Sequence, residues 1–202
     1  MSDISSPHDG TGHDDTAHDG TARQRILACS RKLFAQKPYG QVSLREISQL
    51  AHVSVALIIK HFHSKEELFA QTVDFTSSAQ ALFCGEFSQL GTTAVKETLT
   101  APINAPYSMA RMIAVASGND TSLDAIGQRI KTDLMCVLHK RIAQEAPYPQ
   151  PAPELRAQGA LALLIGLSIM RRFGDIDFQQ FSQASLLDYY GHNLQELLDG
   201  HP

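Results

Sequence analysis

The chain has 202 residues, 43% of them hydrophobic and 19% charged, with a net charge of −4. That length gives one or two domains, and the composition is that of a globular, soluble protein. No apolar run is long enough to span a bilayer: the longest, Ala160 to Met170, is interrupted by Gly166 and Ser168 and followed by Arg171 and Arg172, so it reads as a buried helix. With no secretory leader in the pattern, the cytoplasm is the expected location. Cys29, Cys84 and Cys136 are odd in number and widely spaced, which excludes a disulfide framework or a CxxC zinc site and predicts three small buried hydrophobes.

In chain order, residues 1–20 come first, rich in Gly, Asp, Ser and Thr. They offer too little apolar surface to offset chain entropy, and a disordered tail is predicted. The tail holds a short repeat beginning at His8, His13 and His18. It reads either as a solvated tail or as a His/Asp-rich metal-binding tract. From Ala22 a helical period sets in, with Ile26, Cys29 or Ser30, Leu33 and Phe34 on one face, and Pro38 and Gly40 end it. Ser43 with Glu46 three residues on forms a capping box, opening a second helix that buries Leu44, Ile47, Leu50 and Ala51. His52 and Val53 make a turn. Ser54 caps a third helix with Val53, Ile58 and Phe62 as core, and Ser64 caps a fourth.

That fourth helix is predicted to run from Lys65 into the eighties and to break at Gly91. Further helices are expected at 93–100, 107–117, 122–145, 154–173 and 178–198, punctuated by prolines and by Gly118 and Gly174. No alternating strand pattern occurs. The predicted fold is all-α: a tail over 1–20, a three-helix head over 21–80 and a larger helical body over 81–202.

Two short helices joined by a tight turn over residues 43–62 form a helix-turn-helix, which lays its second helix in the DNA major groove. The charge distribution agrees with that reading. Residues 1–21 carry five Asp and no Lys or Arg, whereas residues 22–68 carry eight basic side chains against three acidic, a local net charge of +5.

The stretch RQRILACSRKLFAQKPYGQVSLREISQLAHVSVALIIKHFHSKEELF resembles the TetR/AcrR family of transcriptional regulators. The likeness lies in a first helix ending in Leu-Phe, a Gly-containing turn, a Ser-capped second helix, a Val-Ser turn and the Phe-x-Ser-Lys-Glu-x-Leu exit, and it covers Thr21 to about Phe75. Four positions depart from the family pattern. His52 and Ala56 stand where glycines are common, Ile59 where an aromatic usually meets a phosphate, and His63 where proline is frequent. The outward face of the third helix then reads Val55, Ala56, Leu57 and Ile59, which suits thymine methyl groups, although part of the face, Leu57 above all, also suits the core. Ser43 and Ser54 are placed to offer hydroxyls and helix N-termini to phosphates. Arg45 is placed for a phosphate or groove edge, Lys60 and Lys65 for phosphates, and His61 for backbone or base.

The resemblance implies that the body binds a small molecule and dimerises. Helix 154–173 is apolar nearly all round through Leu161, Leu164, Ile165, Leu167 and Ile169, and helix 178–198 repeats the theme. Together they predict a four-helix homodimer interface, with Gly159 and Gly166 allowing close approach. Phe83, Phe87, Met109, Met112, Met135, His139 and Met170 lie on the helices that would surround an effector cavity. The expected partners are a pseudo-palindromic double-stranded operator, a second copy of the chain and a small-molecule effector, with no membrane. The alternative is control by metal or by a protein partner. No GxSxG, HExxH, Walker or dinucleotide motif occurs, so no enzyme activity, cofactor or structural metal is expected.

Overall fold

The computed structural model describes residues 14–102, 120–173, 178 and 180–202, and these are helical with no strand among them. The helices are α1 (Asp14–Gln36), α2 (Leu44–Ala51), α3 (Val55–Phe62), α4 (Lys65–Thr72), α5 (Thr76–Leu82), α6 (Leu90–Thr100), α7 (Asp120–Arg129), α8 (Cys136–Glu145), α9 (Pro153–Phe173) and α10 (Gln183–Asp199). A π-helical turn, Ile130–Met135, joins α7 to α8. No described helix is long and apolar enough to cross a membrane.

α1 begins earlier than the sequence suggests. Residues 14–20, expected in the tail, are helical. His18 is therefore on a helix, while His8 and His13 lie outside the described residues. α1 to α4 close on fully buried Ile26, Phe34, Ile47, Ile58, Phe62, Leu68 and Phe69. Phe34, Tyr39 and Phe69 form the aromatic centre. Phe34 stacks on Tyr39 at 5.8 Å, and Phe69 meets both edge-on at 5.0 and 5.1 Å, the arrangement ring quadrupoles favour. Of the alternatives on α1, Ser30 is buried, its hydroxyl donating to Ile26 O at 2.7 Å, and Cys29 is only half-buried. Leu50, expected inside, is 39% exposed, while Ser48, on the opposite flank of Ile47, is buried. Cys84 and Cys136 are likewise exposed rather than core.

Two expectations about the fourth helix change. It stops at Thr72 and restarts as α5 at Thr76. Gly91 breaks nothing, since it lies inside α6. It is needed there for contact: a Cβ at Gly91 would stand 2.5 Å from Gly191 O and 2.6 Å from Gln195 N, both backbone atoms of α10. The reciprocal position, Gly191, faces the backbone of Thr92. Gln195 Oε1 accepts the Gly91 N–H at 2.8 Å, so this crossing is both steric and hydrogen-bonded.

α9 completes the body. Ala157, Ala160, Leu161, Leu164 and Leu167 are buried. Gly159 admits Leu197 of α10, whereas Gly166 meets nothing within 4 Å. Arg171 reaches the carboxyl end of α6, donating to Thr98 O at 2.6 Å and to Ala101 O. The fully buried Arg156 donates to Leu198 O at 2.9 Å near the end of α10. Both cations meet helix carboxyl ends, where the dipole favours positive charge, and burial pulls both below their ordinary pKa. Residues 107–117, expected to be helical, lie outside the described residues; α10 begins at Gln183 rather than 178, capped by the Ser182 hydroxyl.

Candidate nucleic-acid interface

Three serines fix the helices of the head. The Ser43, Ser54 and Ser64 hydroxyl oxygens accept the N–H groups of Glu46, Leu57 and Glu67 at 3.1, 3.1 and 3.0 Å, as N-caps do. Each cap occupies an acceptor lone pair. The hydroxyl proton of Ser43 and of Ser54 stays available to a phosphate oxygen at the same helix end.

Between α2 and α3 the chain turns through His52, at φ 54° and ψ 49°. Val53 N–H closes back on Ser48 O at 3.0 Å, a Schellman-type ending in which glycine is the usual left-handed residue. The glycine absent from the sequence is thus absent where the backbone wants it. α3 ends on a second such residue: His63 sits at φ 61° and ψ −43°, and Ser64 N–H donates to Phe62 O at 2.6 Å. This three-residue γ-turn is a strained form. The Glu67 carboxylate lies 3.5 Å from His63 Nδ1.

α3 is divided by its period. Ile58 and Phe62 point into the core; Val55 (38%), Ala56, Ile59 (40%) and Lys60 are exposed, and Leu57 and His61 are half-buried. The predicted face is therefore presented outward together, with Ser54 at its start. Arg45 is exposed on α2, and Arg25 and Lys32 are exposed on α1.

Lys65 sits differently from its predicted phosphate role. Its ammonium donates to Tyr39 O at 2.7 Å and rests 4.1 Å from the Tyr39 ring centre. Burial lowers its pKa against the opposing pull of Glu66. Tyr39 in turn donates to Glu66 Oε1 at 2.8 Å, and burial first, then Glu66, push its phenol upward. Lys65 thus clips the α1–α2 turn to α4. Sequence reasoning missed Tyr39; its signal is an aromatic between Pro38 and Gly40, where a solvated turn residue is the default. Two other basic residues of the head are also engaged internally: Arg23 with Gln71 and the Phe62 ring, and Lys37 with Glu46.

Residues 26–72, which span this whole arrangement, match the family model described as bacterial regulatory proteins, tetR family. Residues 26–72 are a TetR-type DNA-binding domain. No curated protein sequence matches it. Solved TetR-like structures share its fold over nearly the full length. Salmonella enterica GusR is 18% identical, covering 88% of this chain and 95% of its own, with a TM-score of 0.67. A TetR-family transcriptional regulator from Rhodococcus sp. is 15% identical, covering 89% and 99%, with a TM-score of 0.64. NalD of Pseudomonas aeruginosa, the secondary repressor of the MexAB-OprM multidrug efflux pump, is 18% identical, covering 90% and 95%, with a TM-score of 0.56. The chain accordingly joins a TetR-type DNA-binding helix-turn-helix head to a helical body of the fold these regulators share.

The residues expected around an effector do not converge on one described space. Phe83 lines an open cavity of about 590 Å³ with Thr76, Gln80, Thr132, Asp133 and Val137. Met170 lines another, of about 450 Å³, with Phe178, Phe181, Leu186, Tyr189 and Tyr190. Phe87 is buried and Met135 partly so. His139 Nε2 faces Glu154 at 3.1 Å, tying α8 to α9. Met109 and Met112 lie outside the described residues.

Proposed function

We propose that the protein is a repressor acting as a homodimer on a pseudo-palindromic operator and released by a small molecule bound in the body. The observation carrying the reading is the outward face of α3, where Val55, Ala56 and Ile59 stand exposed between the Ser54 cap and Lys60. Apolar side chains on an exposed helix of a basic head are matched by thymine methyl groups in the major groove. Leu57 and His61 border that face. Ser43, Ser54, Arg45 and Lys60 bind phosphates, and Lys65 holds the head in shape from behind.

Dimerisation is supported by apolar surface on the α9–α10 side. Phe181 is 60% and Tyr189 63% exposed, next to Met170 and an apolar cavity. Such a patch fits a two-fold interface that places two heads one helical turn of DNA apart. A repressor among the structural relatives agrees with the direction of control.

Selection of bound sequences from a random DNA pool tests the reading. A pseudo-palindrome with thymines in each half-site is expected, and Lys60→Ala should lower the salt slope of binding by about one per head. Enrichment of no sequence at all would remove the proposal. Light scattering at micromolar concentration is expected to give twice the chain mass.

A further inference from the structure

Residues 65–84 contain no proline or glycine, and their apolar period is that of a single helix. The chain nevertheless breaks between Thr72 and Thr76. In an unbroken helix Phe75 N–H would donate to Gln71 O, and Thr76 N–H to Thr72 O. Both protons go to carboxylates instead. Thr76 N–H donates to Asp74 Oδ1 at 2.9 Å, a local turn of the kind Asp favours. Phe75 N–H donates at 3.0 Å to Asp133 Oδ2, from a residue 58 positions away.

Asp133 is held for that contact. Its side chain is only 9% exposed. Arg129 Nη2 stands 2.7 Å from its Oδ2 and 3.6 Å from Asp74 Oδ1, and Thr132 Oγ1 donates to its Oδ1 at 3.0 Å. All of these body residues sit on or beside the π-helical turn, where Cys136 N–H closes on Lys131 O five residues back. A π-turn inserts one residue into a helix and re-aims the side chains around it, which is why such turns recur at functional sites. Asp133 also lines the open 590 Å³ cavity, so the carboxylate is within reach of whatever occupies that space.

α4 packs against α1 of the head and also against α7 of the body, and α5 packs in the body against α6. The same two N–H groups therefore have two closures available, one broken and one continuous, and the choice sets how head and body join. We infer that Asp133 is the positioning residue of this regulator: it holds the α4–α5 helix broken, and withdrawing it lets residues 65–82 close into one helix and swings the head. The consequence for DNA rests on the reading of α3 as the operator-contacting helix; the consequence for the helix does not.

The test reads backbone Cα chemical shifts of Val73, Asp74 and Phe75 in the full chain. Non-helical values are expected in the wild type, helical values in Asp133→Ala, and wild-type values again in Asp133→Asn, which keeps an acceptor oxygen. Non-helical shifts in Asp133→Ala overturn the inference. Should Asp133→Ala not fold, Arg129→Ala, which leaves Asp133 less firmly aimed, is expected to speed amide exchange at Phe75 at least tenfold, and unchanged exchange overturns it equally. On DNA selected by the wild type, Asp133→Ala should bind at least tenfold more weakly and Asp133→Asn normally. Helical shifts with unchanged affinity overturn the coupling to the head. A wild type that selects no DNA defeats the operator reading alone and leaves the shift measurement to decide the hinge.

Discussion

The head closes on an aromatic cluster, Phe34, Tyr39 and Phe69, whereas the body closes on a crossing of two glycines, Gly91 and Gly191. In the head, stability is carried by large side chains that fill space between short, individually capped helices. In the body, α6 and α10 approach until backbone nearly touches backbone, and the residue that matters is the one with no side chain. The difference teaches that these two sites tolerate opposite errors. The aromatic centre of the head suffers from removal of atoms and the α6–α10 crossing from their addition.

Phe69→Ala should be the costliest change, about 4 kcal/mol by denaturant unfolding, because the cavity opens among rings that cannot collapse onto it. Gly91→Ala comes next, at about 3 kcal/mol, since the added methyl meets backbone of α10 rather than a side chain able to turn aside. A loss well under 1 kcal/mol there would erase the contrast between the two regions. Ser54→Ala removes the cap of α3 and should cost about 1 kcal/mol while weakening DNA binding. Gly127→Ala sharpens the argument from the other side. Gly127 is an exposed helical glycine with nothing within 4 Å, so alanine should stabilise by about 0.8 kcal/mol. The smallest effect is at Asp74. Hydrogen bonds from the Thr76 backbone and then its side chain, with Arg129 and Arg31 adding positive charge, hold its carboxyl below the usual range. Its contribution is present above the unfolded value, about pH 4, and is lost as pH falls through the lower folded value. Unfolding midpoints followed from pH 6 to 2 should show Asp74→Asn losing less than the wild type, and parallel curves would count against it.

The head was legible because its signals are local. Ser43, Ser54 and Ser64 announce their helices three residues ahead, and Ile58 and Phe62 follow the period that hides them. Even the departures at His52 and His63 mark the two positive-φ residues that bound α3. Leu50 misled, since the buried arc of α2 runs from Ile47 and Ala51 toward Ser48 and away from Leu50. The body was less legible because its decisive contacts are distant in sequence. Nothing near Gly91 reveals that Gly191 lies against it, so a glycine read as a helix breaker is a contact surface. Nothing near Phe75 reveals Asp133, so a helix read as continuous is broken. Lys65 shows the same limit within the head: a basic residue at a DNA-binding helix end reads as a phosphate ligand until Tyr39 is seen beneath it.

The Gly91–Gly191 crossing also bears on the order in which the chain acquires its shape. The contacts among α1 to α4 join residues within about fifty positions of one another, so the head can condense while it is still being synthesised. α6 cannot find its seat until a hundred further residues have left the ribosome, because the backbone it rests on belongs to α10. Until then Leu90, Ala94 and Val95, all buried in the finished body, have lost their cover. The nascent chain therefore passes through a stage with a formed head and an open body, with that apolar surface exposed.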